Sequence, residues 1–463
     1  MRSNYKSLIL LAGAIFISFV IYRQSLGSYF FQDDWFTLKI SRGADLAAIA
    51  AFFVPRRDVI YYRPLGMQIP FYLLQSFFGL NQLPFRLLNF VLHAANTVMI
   101  YLLIKKMGGS VFPARLSAIL YAVSGVHYTV FYWSSTLPFF LGPLLLFSSF
   151  YFFLRFSEGK AVWYFLSLTA FILGLFTNEM TAVLPLMLLS YSFIINKISY
   201  WRLLPYFVPV AILVGIRFLF FPPPVTESYS LGVARETAYS LRNYFLWSNN
   251  WPEEIQGQFY RFGLLNPRFV REFAPYVAVF CLSLAVNILL FYFLPLVHLL
   301  KNKNTTSIRF FYFGLSWFLI GLAPVIFFPL HVFSYYLIIP MAGLLLSLTV
   351  VFHNYLNFQS RLLIRKVMTI AVVASSIISA CALVAFNSKI HWAPRRARIS
   401  KILTDKAKSV SFGADEKVIF SVKPYSEYKL ALNDQDALQY IFSRNDIITD
   451  YSLHGLGKFY LSE

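Results

Sequence analysis

About eleven apolar runs of roughly membrane-crossing length punctuate the chain, near 7–26, 86–104, 112–126, 131–154, 161–177, 180–196, 203–221, 275–300, 310–330, 333–352 and 367–386. A hydrocarbon core about 30 Å thick takes about 20 helical residues, and backbone inside it must satisfy its own hydrogen bonds, so this pattern predicts a bundle of transmembrane helices. Only 13% of the 463 residues are charged, against about a quarter in a globular domain, which excludes a soluble enzyme. The first run follows Arg2 and Lys6 as a signal peptide would, but Tyr22-Arg23-Gln24-Ser25 contains no small-residue cleavage site, so it reads as a retained helix. Cys281 and Cys381 lie inside apolar runs, form no CxxC and offer no site.

Forty Lys and Arg against 20 Asp and Glu give a formal charge of +20. In a soluble protein that excess would suggest nucleic acid; here its placement points to membrane lipid instead, and no nucleic-acid partner is expected. With the N-terminus cytoplasmic, the inner segments hold Lys105, Lys106, Arg115, Arg155, Lys160, Lys197, Arg202, Lys301, Lys303, Arg309, Arg361, Arg365 and Lys366, and the one acid among them is Glu158. Basic loops on that side satisfy the positive-inside rule, and the inverted topology violates it. The expectation is an integral protein of the bacterial inner or plasma membrane, with residues 27–85, 222–274 and the tail facing the periplasm or exterior.

The external segments carry structure of their own. Pro64 to Leu83 is apolar with amphipathic breaks at Pro70 and Gly79, which suits a helix lying in the interface. The 222–274 loop is rich in Tyr239, Tyr244, Trp247, Trp251 and Tyr260, as befits headgroup depth. In the tail, the alternation Lys417-Val418-Ile419-Phe420-Ser421-Val422 and the amphipathic stretch Ala437 to Phe442 predict a small α/β appendage. The fold class is thus an all-α polytopic membrane protein, divided into a transmembrane domain at 1–386 and an external domain at 387–463.

Candidate chemistry gathers on the outer side. Asp33 and Asp34 follow the first run amid aromatics, where repulsion and desolvation raise at least one pKa and suit a general base; a solvated helix cap is the bland alternative. His127, Asn178, Glu179 and His331 fall at outer helix ends, and an acid such as Glu179 at a membrane boundary is costly unless partnered or functional. The cations there include Arg56, Arg57, Arg63, Arg86, Arg217, Arg235, Arg242, Arg261, Arg268 and Arg271. An arginine fork suits a lipid-linked phosphate, and equally an anionic headgroup. Arg217 interrupts an apolar run, so it needs an anion, either Glu179 or a carrier phosphate. Adjacent acids with a histidine can bind a divalent ion, but the ligand set is incomplete, so no metal ligand is assigned. No Walker A, GxGxxG, HExxH or GxSxG pattern occurs.

The acidic pair after the first run, Tyr62-Arg63-Pro64-Leu65, and Pro84-Phe85-Arg86-Leu87-Leu88-Asn89 leading through His93 to Asn96-Thr97 together resemble the GT-C superfamily of membrane glycosyltransferases. Val126-His127-Tyr128-Thr129, Thr177-Asn178-Glu179-Met180 and Ser334 to Pro340 extend the likeness over about residues 7 to 350. It is strongest toward the protein O-mannosyltransferases, including the transmembrane and tetratricopeptide-repeat type, and their bacterial relatives, although no such repeats follow here. The resemblance implies transfer of a sugar from a polyprenyl-phosphate carrier to a protein, lipid or glycan acceptor at the outer face. It assigns catalysis to Asp33 and Asp34, with Asp33 as base; Arg63, His127, Glu179, Arg217 and His331 are the expected substrate-binding residues. Two other readings stand beside it: an O-antigen-type polymerase or ligase relying on the arginines of 222–274, and a lipid or polysaccharide flippase. The acids avoid the span centres, which argues against the flippase.

Overall fold

The computed structural model describes residues 2–43, 46–56, 59, 61–108, 110–220, 230–233, 235–260, 263–411, 418–422, 426–451 and 459–461. Arg57, Arg261 and Lys417 lie outside them. The chain opens with α1 (Arg2–Tyr22), α2 (Asp33–Ile40), α3 (Leu46–Ala51) and α4 (Ile69–Phe78). The bundle continues with α5 (Gln82–Gly108), α6 (Val111–Ala122), α7 (Tyr128–Tyr132), α8 (Pro138–Phe156), α9 (Ala161–Leu175), α10 (Leu184–Ile194) and α11 (Leu204–Phe220). After α12 (Arg235–Ser248) and α13 (Pro267–Glu272) come α14 (Ala274–Val286), α15 (Leu294–Asn302), α16 (Thr305–Leu322), α17 (Ile338–Phe358) and α18 (Leu362–Ile390). A helix occupies the greater part of every apolar run. Among the described residues six segments are long and apolar enough to cross a membrane, and four shorter apolar helices accompany them. The chain is an all-α polytopic membrane protein.

Local chemistry sets the helix ends. Asn304 caps α16 by accepting the Ser307 N–H at 2.9 Å, and Arg309 donates to the Ile194 carbonyl at 2.6 Å and to that of Ile195, satisfying the end of α10. Gly79, at φ 58°, stops α4. Pro70 begins α4 rather than interrupting it, because a helix's first turn needs no N–H there. Leu73, Phe77 and Phe78 of α4 are exposed, the apolar face expected of an interfacial helix.

Three runs leave the helix on the same side of the bundle. Val123 to Leu137 forms short turns and α7 between α6 and α8, all of it buried. Phe176 to Val183 forms irregular turns between α9 and α10, and Ala323 to Leu337 between α16 and α17, both only partly buried. The run boundaries at 131, 180, 330 and 333 therefore overstate regular helix. Irregular backbone survives at this depth only when its polar groups find partners, and α5 supplies several. Arg86 donates to the carbonyls of Ser28 (3.1 Å), Tyr29 (3.3 Å) and Phe131 (3.5 Å). Asn89 reaches Val130 (2.8 Å), Asn96 reaches Phe140 (2.8 Å), and His93 Nε2 lies 3.0 Å from the Ala122 carbonyl. Positions 86, 89, 93 and 96 share one helix face, so the polar motif read from the sequence is a ladder of donors.

The tail carries α19 (Trp392–Lys408), β1 (Ile419–Val422), α20 (Ser426–Leu432), α21 (Asp436–Phe442), β2 (Ile448–Asp450) and β3 (Phe459–Leu461). Its strands make a parallel sheet in the order β2-β1-β3, with Phe420 opposite Thr449 and Phe459. This is the small α/β appendage. Its core of Phe420, Val422, Leu432 and Leu438 is continuous with Phe30, Trp35, Leu38 and Phe85 of the bundle side. α18 runs four residues past the expected boundary at 386, to Ile390.

Candidate functional site

A cavity of about 430 Å³ opens where the irregular segments meet. Its walls come from the first loop, the α7–α8 turn, the α9–α10 turn, α11 and the α16–α17 turn, and they bring together Asp33, Arg63, Glu179, Arg217 and His331. Five of the seven expected site residues thus share one cavity.

Gly66 makes the approach of the first loop close enough. A β-carbon there would lie 2.1 Å from the Thr177 carbonyl oxygen, so only glycine fits, and Leu65 N–H donates to the Phe176 carbonyl at 3.1 Å alongside. On the facing turn Asn178 accepts the Met180 N–H at 3.0 Å and so fixes the start of the turn that carries Glu179. The result is a two-pronged ion pair: Arg63 Nε donates to Glu179 Oε2 at 2.7 Å and Arg63 Nη2 to Oε1 at 2.5 Å. Arg63 also lies over the rings of Tyr61 and Phe139, 5.3 and 5.6 Å from their centroids. Burial opposes charge on Glu179, yet Arg63 and, more weakly, Arg217 hold its carboxyl below the usual range. Glu179 is therefore the anion of Arg63 first, and Arg217 adds to the same field.

The two aspartates have different surroundings. Asp34 is fully buried and accepts the Ser135 N–H at 2.6 Å, the Ser135 hydroxyl at 2.8 Å and the Phe31 N–H at 3.3 Å. It does not line the cavity. Asp33 does, and burial together with the neighbouring Asp34 carboxylate pushes it up to about 6, against the pull of Arg63 and Arg396. Burial likewise raises Asp34 to about 6, although Arg86, Ser135 and Phe31 favour its charge. A partly buried carboxylate with a pKa near that value can take a proton and still be ionised at neutral pH.

His127 lies elsewhere. Its ring is buried against His93 (4.5 Å) and Tyr121 (4.6 Å), Nε2 donates to the Tyr121 carbonyl at 2.8 Å, and it does not border the cavity. His331 borders the cavity, and burial followed by the Arg63 charge lowers its pKa, favouring the neutral ring. Among the remaining cations, Arg86 is buried in the ladder described above, Arg56, Arg268 and Arg271 are exposed, and Arg235 and Arg242 line a second, open cavity of about 910 Å³. Among the described residues no group of three or more His, Cys, Asp or Glu side chains comes together.

Several lining residues were given no role from the sequence, although Tyr335 and Tyr336 lie in the Ser334 to Pro340 stretch that carried the resemblance. Phe139, Phe333, Tyr335 and Tyr336 form an aromatic wall with centroids 4.6 to 5.5 Å apart for Phe139–Tyr335, Tyr335–Tyr336, Phe333–Tyr335 and Phe139–Tyr336. Trp133 lines the cavity, and its buried indole N–H has no hydrogen-bond partner among the described residues. Glu253 of the second loop accepts the Ser334 N–H and so anchors the turn bearing Tyr335 and Tyr336. An aromatic wall beside a carboxylate and an arginine can stack a sugar ring, accept a hydroxyl proton and hold an anion.

No protein-family model matches the chain, and no curated protein matches it by sequence. Two solved structures resemble it throughout. ArnT from Cupriavidus metallidurans bound to undecaprenyl phosphate superposes with a TM-score of 0.52 at 13% identity, over 97% of this chain and 90% of that one. The same protein in the apo state gives a TM-score of 0.51 at 13% identity with the same coverage. At that identity the likeness is one of architecture: this chain has an ArnT-like fold.

Proposed function

We propose that this protein is a membrane glycosyltransferase that moves a sugar from a polyprenyl-phosphate carrier to an acceptor hydroxyl at the outer face of the membrane. The observation that carries the reading is the cavity itself: Asp33, the Arg63–Glu179 pair and Arg217 face one space walled by aromatic rings. The fold likeness supports it, since ArnT is bound to undecaprenyl phosphate in one of the similar structures.

Asp33 accepts the proton of the acceptor hydroxyl as its oxygen bonds to the anomeric carbon. The bond from that carbon to the carrier phosphate breaks, and its electron pair leaves with the phosphate. A single displacement of this kind inverts the anomeric centre. Arg217 stabilises the departing phosphate; Arg63, two of whose donors Glu179 already holds, adds positive field and keeps the wall in place. Phosphate is a good leaving group, so no acid need assist it.

The orientation belongs to the same proposal. Lys106 and Arg155 both pair with Glu158, at 2.5 and 2.8 Å, which gathers the basic ends of α5 and α8 at one end of the bundle; the positive-inside rule makes that end cytoplasmic. The reading is tested by incubating the purified protein with polyprenyl-phosphate sugars: free polyprenyl phosphate should accumulate. Its failure to appear with any such donor in the presence of mixed acceptors would overturn the proposal.

A further inference from the structure

The appendage grips the first loop at the residue before Asp33. Gln32 stands at φ 53° and ψ −133°, a left-handed backbone that side-chain-bearing residues rarely adopt, and it is the N-cap of α2, which Asp33 begins. Conformations of this kind are costly and persist only where the surroundings over-determine them. Both ends of Gln32 are held by the tail. Its N–H donates to the Ala431 carbonyl at 3.0 Å, and its Oε1 accepts from Arg396 Nη1 at 2.7 Å. The rest of that guanidinium is fixed by Glu427, with Nε to Oε2 at 3.0 Å and Nη2 to Oε1 at 3.1 Å.

Further contacts hold the two pieces in register. Trp35 Nε1 donates to Ser400 Oγ at 2.9 Å, Lys39 pairs with Asp436 at 2.9 Å, and the Tyr440 hydroxyl donates to Gln75 Oε1 at 2.8 Å. α2 is thus pinned on its outer side by α19 and α21 and on its inner side by Ser135 through Asp34.

We propose that Arg396 is a positioning residue for Asp33: held by Glu427, it locks Gln32 in its strained backbone and thereby aims the Asp33 carboxylate into the cavity, making the appendage part of the reactive site. The proposal rests on the reading of Asp33 as base. The side of the carboxylate that meets the acceptor is set by the turn at Gln32, and a base displaced by about 1 Å loses on the order of a hundredfold in rate.

The test uses the full chain in lipid nanodiscs with two substitutions. Arg396→Lys keeps the charge but cannot hold Gln32 and Glu427 together. Gln32→Met removes the acceptor while leaving the Arg396–Glu427 pair intact. In both, amide hydrogen exchange in peptides spanning residues 30–36 should quicken while α5 and α17 remain protected, and kcat should fall about ten- to a hundredfold; in Arg396→Lys, whose side chain does not line the cavity, the KM for lipid donor should be unchanged. Unchanged exchange at 30–36 in both variants, or faster exchange there with wild-type kcat, would overturn the proposal. The exchange measurement needs no substrate, so a wild-type chain inert toward every polyprenyl-phosphate sugar would defeat the proposed activity and leave the clamp judged by exchange alone.

Discussion

Ser135 gives Asp34 both its backbone N–H and its hydroxyl, at 2.6 and 2.8 Å, and so ties α2 of the first loop to the buried turn between α7 and α8. The neighbouring carboxylates therefore have separate work: Asp34 is spent on structure, and Asp33 is left to face the cavity. Replacing Asp34 by alanine strands three donors and removes the nearest counter-charge of buried Arg86. Unsatisfied buried groups cost about 1–3 kcal/mol each, so Asp34→Ala should lower the thermal midpoint and the yield of folded protein. A variant as stable as wild type would show that this network holds nothing.

The pH dependence follows from Asp33, raised to about 6 by burial and by Asp34. A base must be ionised to work, so kcat/KM should be level above neutrality and fall about tenfold per unit below about pH 6. A carboxyl whose pKa is raised on folding binds its proton more tightly in the folded chain, so at this residue acid favours the folded state and the loss of rate is not unfolding. Rate profiles recorded beside thermal melts separate the two. A rate that stays level down to pH 4.5 would exclude a base of this pKa.

Two arginines face the cavity in different company. Arg63 is held by Glu179 through two donors, whereas Arg217 contributes only a weaker pull on that acid. Arg217→Lys keeps the charge and loses the fork, so the KM for lipid donor should rise, or the rate fall, by about tenfold, the worth of roughly 1.4 kcal/mol. Arg268→Lys and Arg271→Lys, on the exposed surface, should change neither, as expected of headgroup contacts. Donor titration of the three variants decides between these roles; an unaltered Arg217→Lys would remove it from the phosphate site.

The proposed topology, an odd number of crossings with the N-terminus inside, puts the appendage outside. Ser411 is exposed in the tail, so a cysteine introduced there should react with a membrane-impermeant maleimide added to intact cells. Protection until the cells are broken would reverse the topology and put the cavity on the wrong side for a lipid-linked sugar.

The membrane helices were legible because hydropathy alone sets them, and the amphipathic α4 and the small appendage were legible from period and turn residues. The segments around the cavity were not. Val123 to Leu137 straddles the ends of two apolar runs, and its irregular backbone is held by Arg86 at Phe131 and Asn89 at Val130, a tertiary effect that no local window contains. His127 drew notice by its position at a helix end, and only packing reveals its ring among His93 and Tyr121. Only the resemblance separated Asp33 from Asp34; their physical difference comes from Ser135, a hundred residues on. The grip of Arg396 on Gln32 spans 364 positions.

The most direct measurement is the rate of polyprenyl-phosphate release from a polyprenyl-phosphate sugar by the purified wild-type chain and by Asp33→Asn. The substitution is nearly isosteric and leaves the Asp34–Ser135 contacts in place, so the variant should fold and bind donor normally while its rate falls by about 10²–10⁴. A well-folded Asp33→Asn that releases polyprenyl phosphate at the wild-type rate would contradict the assignment of Asp33 as the base.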